Sequence, residues 1–99
     1  MILDITDEAE TDLENIGDYL AESNPRAALE LVRDLRAKCV ALLEMPQAFA
    51  LTPRYEPHGV RRRVVGQYLI FYTVADDRLI IVRILHGASD YASLLFPDA

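Results

Sequence analysis

Tyr68-Leu69-Ile70-Phe71-Tyr72 is an unbroken apolar run with no charge on either alternating face. Such a run, bounded by turn residues, reads as a strand covered on both sides, so the fold must supply a layer above it and a layer below. Gly66-Gln67 precedes it, a two-residue turn with glycine first that suits type II′. Val60–Val65 lies before that turn, and Leu79–His86 follows Asp76-Asp77. Three antiparallel strands joined by tight hairpins are therefore expected.

The first half of the chain has a different period. Ile2-Leu3-Asp4-Ile5 is a short strand candidate, and Thr6 is placed to cap a helix over about residues 7–22. Asp7, Glu8 and Glu10 fall in its first turn, where the helix dipole favours negative charge. Ala9, Leu13, Ile16 and Leu20 form its apolar stripe. Gly17 costs that helix about 1 kcal/mol relative to alanine, which a close neighbouring helix would explain. Asn24-Pro25 opens a second helix. Its stripe is Ala28, Leu31, Val32, Leu35, Cys39, Leu42 and Leu43, and Met45-Pro46 ends it. The short connection makes the two an antiparallel hairpin. Pro46, Pro53, Pro57 and Gly59 mark residues 46–59 as an irregular crossing loop. The expected fold is α+β: an N-terminal strand, a helical hairpin packed on a three- to four-stranded antiparallel sheet, and a short C-terminal helix, as one domain over residues 1–99.

Alternation then assigns faces. With both turns tight, Val65 faces Tyr68, Arg63 faces Ile70 and Ile70 faces Arg83. One face collects Arg61, Arg63, Tyr68, Ile70, Tyr72, Ile81 and Arg83. The other collects Val60, Arg62, Val64, Leu69, Phe71, Ile80, Val82, Ile84 and His86. The second set is the more apolar and is expected under the helices, leaving an arginine–tyrosine face for a partner. A one-residue slip in either turn would reverse the assignment.

Composition narrows the function. Hydrophobic residues make up 52% of the chain and charged ones 26%, enough for a core and a wettable surface. No apolar run approaches the roughly 18–20 residues of a membrane span, and the acid-rich N-terminus is unlike a signal peptide, so a cytoplasmic protein is expected. The one cysteine, Cys39, excludes an internal disulfide and reads as a buried apolar group. Net charge is −6, split as −7 over residues 1–53, +3 over 54–86 and −2 over 87–99. An acidic chain is poorly suited to nucleic acid, whose binding rests on phosphate neutralisation. The local arginines can still take a carboxylate-bearing partner. No metal-ligand spacing, phosphate loop or nucleophile elbow is present, and no cofactor is expected.

The ordered fragments Ala9, Asp12-Leu13, Ile16, Tyr19-Leu20, Asn24-Pro25, Ala27-Ala28 and Met45-Pro46 resemble the ParE half of the RelE/ParE toxin superfamily. So do Gly59-Val60-Arg61, Val65–Tyr72 and Val82-Arg83-Ile84-Leu85-His86-Gly87, over roughly Leu3 to Leu95. The resemblance implies the toxin of a type II toxin–antitoxin system, with DNA gyrase as target. It also implies a hetero-oligomer with a ParD-like ribbon-helix-helix antitoxin that has a flexible C-terminal arm. An arm with apolar anchors and acids would complement the basic sheet face expected above and the apolar groove beside it. ParE-like sequences commonly read His-Gly-Ala-Arg-Asp where this chain has His86-Gly87-Ala88-Ser89-Asp90.

The candidate binding residues are Arg61, Arg63, Arg83, Tyr68, Tyr72, His86 and Asp90, and no catalytic residue is assigned. Arg83 interrupts an apolar strand and needs a partner or a wet face; a salt bridge to a first-helix acid would also satisfy it. His86 titrates near neutrality when unperturbed but, alone at a strand end, reads first as a hydrogen-bonded structural group. The tyrosines pack with one polar end, and Asp90 is placed to cap a helix over Tyr91–Leu95. Two alternatives stay open. One is a ribosome-dependent messenger endoribonuclease of the RelE kind, with Arg61, Arg83, His86 and Tyr91 sharing acid, base and cation roles. The other is a degenerate toxin retaining only antitoxin binding.

Overall fold

The computed structural model describes residues 1–98. Strand β1 (Ile2–Ile5) leads into helices α1 (Asp7–Ala21) and α2 (Pro25–Ala41), and single 3₁₀ turns form at Leu42–Glu44 and Glu56–His58. Strands β2 (Arg61–Val65), β3 (Tyr68–Ala75) and β4 (Arg78–His86) follow, then helix α3 (Tyr91–Leu95). The sheet order is β1-β4-β3-β2. β2, β3 and β4 are antiparallel as expected, but β1 runs parallel to β4, so the sheet is mixed. Four residues of strand pattern carry no information on direction; the parallel sense comes from where α1 must land.

The caps form as read. Thr6 Oγ1 accepts from the Ala9 N–H at 3.1 Å, Asn24 Oδ1 from the Ala27 N–H at 3.0 Å, and Asp90 Oδ1 from the Ser93 N–H at 3.4 Å. Gly17 marks the close approach of the two helices: a Cβ there would lie 3.1 Å from Val32 Cγ2.

The β2–β3 hairpin closes in the expected register, Val65 opposite Tyr68 and Arg63 opposite Ile70, with Gly66 at φ +59. The β3–β4 hairpin keeps its expected register only from Ala75–Arg78 to Tyr72–Ile81. There a bulge leaves Val82 unpaired, so Phe71 faces Arg83, Ile70 faces Ile84 and Tyr68 faces His86. The bulge therefore moves Ile84 from the face expected for it to the side of Ile70.

The two faces are also reversed relative to expectation. Ile70, Tyr72, Leu79, Ile81 and Ile84 are buried with Ala9, Leu13, Leu35, Cys39 and Leu42 in the core beneath the helices. The opposite face holds a smaller cluster of Val60, Leu69, Phe71 and Leu85, closed by Phe96 just beyond α3. The run at 68–72 is thus covered on both sides, by a different layer on each.

β1 ends at Ile5, one residue before the bulge, and α1 takes over its role along β4. The Thr6 N–H donates to the Ile81 carbonyl at 3.1 Å, and Thr6 Oγ1 donates to the Val82 carbonyl at 2.9 Å. Asp12 then accepts the Ile84 N–H at 2.9 Å while both its oxygens accept from Arg83, Nε at 2.8 Å and Nη2 at 2.9 Å. The Asp12 side chain is 8% exposed and that of Arg83 23%. The hydrogen bond to Asp12 pushes the Arg83 pKa above the ordinary arginine value, against the opposing effect of burial.

Two expectations follow. Asp12→Ala strands a guanidinium and a ladder N–H together and should cost about 3–5 kcal/mol in urea denaturation. Asp12→Ala combined with Arg83→Met should recover part of that loss; a single-variant cost within experimental error would show that the pair does not hold α1 to β4. Cys39 is fully buried, and burial pushes its thiol from 9.0 up to about 11. The unfolded thiol therefore ionises first, and stability present below pH 9 is lost as pH rises towards 11, by roughly 2–3 kcal/mol. Tyr72, also raised by burial, adds a loss of the same sign above pH 10. Urea midpoints at pH 8, 9, 10 and 11 should fall less steeply in Cys39→Ala.

Candidate functional site

Most of the expected binding arginines are committed within the chain. Arg61 Nη1 donates to the Phe49 carbonyl at 2.7 Å, and Arg63 Nη1 to the Lys38 carbonyl at 3.2 Å. Lys38 lies in the last turn of α2, where the helix dipole favours a cation, and the Arg63 guanidinium also sits 4.9 Å from the Phe49 ring centre. Arg83 is held by Asp12. All three are half-buried beneath or beside the helices, so the open arginine–tyrosine face does not exist. The physical reason is that an arginine stem packs like an aliphatic group while its head reaches an acceptor within the chain: a crossing-loop carbonyl for Arg61, an α2 carbonyl for Arg63 and the Asp12 carboxylate for Arg83.

Tyr72 is likewise excluded from a surface role: it is 0% exposed and donates its hydroxyl to the Pro46 carbonyl at 2.9 Å. Asp90 is exposed but accepts from both the main chain and the hydroxyl of Ser93, the work of a helix cap. Arg62 reaches the other side of the sheet, donating to the Tyr91 hydroxyl at 3.2 Å.

Tyr68 and His86 are the two candidates that the fold brings together at a surface. They are cross-strand partners, and their rings meet edge to face at 5.3 Å and 80°. With Asn15, Ile16 and Tyr19 of α1 they line an apolar cavity of about 390 Å³. Tyr19 is 78% exposed, far more than a packing tyrosine. Sequence reading passed over it because it adjoins the stripe residue Leu20. Its signal was position: with Glu8, Thr11, Asp12, Asn15 and Glu22 it repeats at three and four residues, on a second face beside the core stripe.

A second hollow, lined by Asp7, Glu8, Thr11, Asp12, Asn15 and Arg83, adjoins the first through Asn15. Together they form a trough along one flank of α1, aromatic at its Tyr19 end and acidic at its Asp7 end.

His86 Nδ1 accepts the Ala88 N–H at 3.0 Å, and Nε2 faces Gln67 Oε1 at 3.3 Å, where a neutral ring with its proton on Nε2 satisfies both contacts. Arg61, Arg83, His86 and Tyr91 are tied to four different partners, and Tyr91 packs on Phe71 on the far side of the sheet. They do not converge on a point where a phosphate could react. Among the described residues, no group of three or more His, Cys, Asp or Glu side chains could hold a metal ion. None of the described helices is long and apolar enough to cross a membrane.

Comparison with known proteins agrees with this fold. The profile of the family described as ParE toxin of type II toxin-antitoxin system, parDE, matches residues 3–91. No curated protein matches the chain. Among solved structures, a chain described under "Chromosomal ParDE TA system from P. aeruginosa" superposes with a TM-score of 0.77 at 27% identity. The alignment covers 87% of this chain and 95% of that one. With the strand–hairpin–sheet order, the capped helices and a family match across nearly its whole length, this chain belongs to the ParE toxin family of type II toxin–antitoxin systems.

Proposed function

We propose that this chain is the toxin of a ParDE-like pair: free, it binds and inhibits DNA gyrase; in complex, a ParD-like ribbon-helix-helix antitoxin silences it. The family match over residues 3–91 carries this reading. In the proposed complex the antitoxin arm occupies the trough along α1, contacting Tyr19, Tyr68 and His86. Support for that placement comes from the exposed aromatic ring of Tyr19 and the apolar cavity beside it. A groove walled by one helix and one strand end accepts a peptide arm by the same physics as other helix-in-groove contacts. The reading is of a cytoplasmic, non-enzymatic inhibitor in which His86 is a hydrogen-bonded structural group, its Nδ1 accepting the Ala88 N–H and its Nε2 meeting Gln67 Oε1.

Ser89 bears on potency. Its hydroxyl donates to the His86 carbonyl at 2.6 Å and its N–H to the same oxygen at 3.0 Å, closing the turn after β4. Here the serine hydroxyl adds a second hydrogen bond to a turn that the main-chain N–H already closes.

The purified, antitoxin-free chain should block gyrase supercoiling of relaxed plasmid and arrest growth on induction. Absence of inhibition at micromolar concentrations would remove gyrase as the target. Growth arrest by the unmodified chain would dispose of the degenerate-toxin reading. If that reading held instead, the unmodified chain would be harmless and Ser89→Arg would restore arrest. Messenger cleavage in a purified translation system would replace the inhibitor reading with the endoribonuclease one.

A further inference from the structure

We infer that the segment seated in the trough beside α1 is cationic. It carries an apolar or aromatic anchor for the Tyr19–Tyr68–His86 end and a lysine or arginine for the Asp7–Glu8 end. This rests on the preceding reading that a partner's arm fills the trough. It reverses the acidic arm expected from sequence, because the basic face that such an arm would need is consumed internally.

Charge decides the sign. α1 contains six acids and no lysine or arginine. Arg83 neutralises Asp12, and Arg36 lies 2.8 Å from Glu10. Among the described residues, no cation stands within ion-pair distance of Asp7, Glu8, Glu14 or Asp18. The helix N-terminus offers about half a positive charge near Asp7 and Glu8, against two full negative ones, so that end of the trough stays anionic. Arg83 is the cation in the lining; Asp12 takes its Nε and Nη2 and Glu8 also acts on it, so one positive charge stands against Asp7, Glu8 and Asp12 and the lining keeps a net negative charge. Displacing Asp12 from it would also strip the Ile84 N–H of its acceptor. An acidic arm would meet uncompensated repulsion, while a basic one meets complementary charge.

Geometry sets the spacing. Glu8 and Tyr19 are separated by eleven helical residues, about 16 Å at 1.5 Å per residue. An arm in extended form spans that distance in about five residues, and a helical arm in about eleven.

The test uses the full chain and three fluorescein-labelled, 20-residue amphipathic Ala/Leu/Tyr peptides whose polar positions are all Lys, all Gln or all Glu. Fluorescence anisotropy at low salt should rank them Lys, Gln, Glu, with at least tenfold between first and last. Asp7→Asn combined with Glu8→Gln should weaken the Lys peptide about fivefold. Glu30→Gln with Glu44→Gln, both outside the trough, should leave it unchanged. Equal binding of Lys and Glu peptides, equal losses from the two pairs of substitutions, or no binding by any peptide would overturn the inference. Tyr19→Ala separates the two layers of the proposal, since it should weaken all three peptides alike. If it weakens none while the charge ranking persists, occupation of the trough is what fails. Circular dichroism of each variant checks that the fold is retained.

Discussion

Asp12 holds the molecule's two halves together. One carboxylate on the first helix accepts from three donors on the last strand, two from the Arg83 side chain and one from the main chain of Ile84. A buried charge pair is often no better than an apolar one for stability alone. Here it does something an apolar contact could not. β1 stops short of the end of β4, which would leave unpaired ladder groups beside a helix, and burying these without partners is costly. Thr6 supplies the missing donors and Asp12 the missing acceptor. Position and angle of α1 over the sheet are thereby fixed, and with them the trough whose walls are α1 and the end of β4.

Local chemistry was legible wherever it acted within a few residues. Thr6, Asn24-Pro25 and Asp90 capped helices as their types and spacing required, Gly17 marked a helix contact, and Gly66 turned the first hairpin. The bulge at Val82 was not legible: no glycine or proline announces it, and it is specified by what β4 must pair with on its other edge. Its single-residue shift moved Ile84 across the sheet and contributed to the reversal of the expected faces. The rest of the error came from scoring arginine as polar. Arg61 and Arg63 lie on an edge strand within reach of carbonyls at Phe49 and Lys38, a long-range fact that no local window contains.

The site was readable only in part, for the same reason. Tyr68 and His86 were expected on opposite faces of the sheet; the bulge sets them opposite each other, and their third wall, Tyr19, belongs to a helix more than forty residues earlier. Its acidic surroundings were visible as charge asymmetry from the start. What changes their meaning is that Arg61, Arg63 and Arg83 are hydrogen-bonded within the fold and are not set out together on one open face.

The far side of the sheet has a different character. α3 is only five residues long, too short to persist as an isolated helix. Its order is borrowed from Tyr91 on Phe71, from the Arg62–Tyr91 hydrogen bond and from the stack of Phe96 on Tyr55 at 4.4 Å. The layer that seals Leu69, Phe71 and Leu85 therefore rests on a few side-chain contacts and not on a helix stable in its own right. One sheet thus carries helices of 15 and 17 residues on one side and a helix of 5 residues on the other.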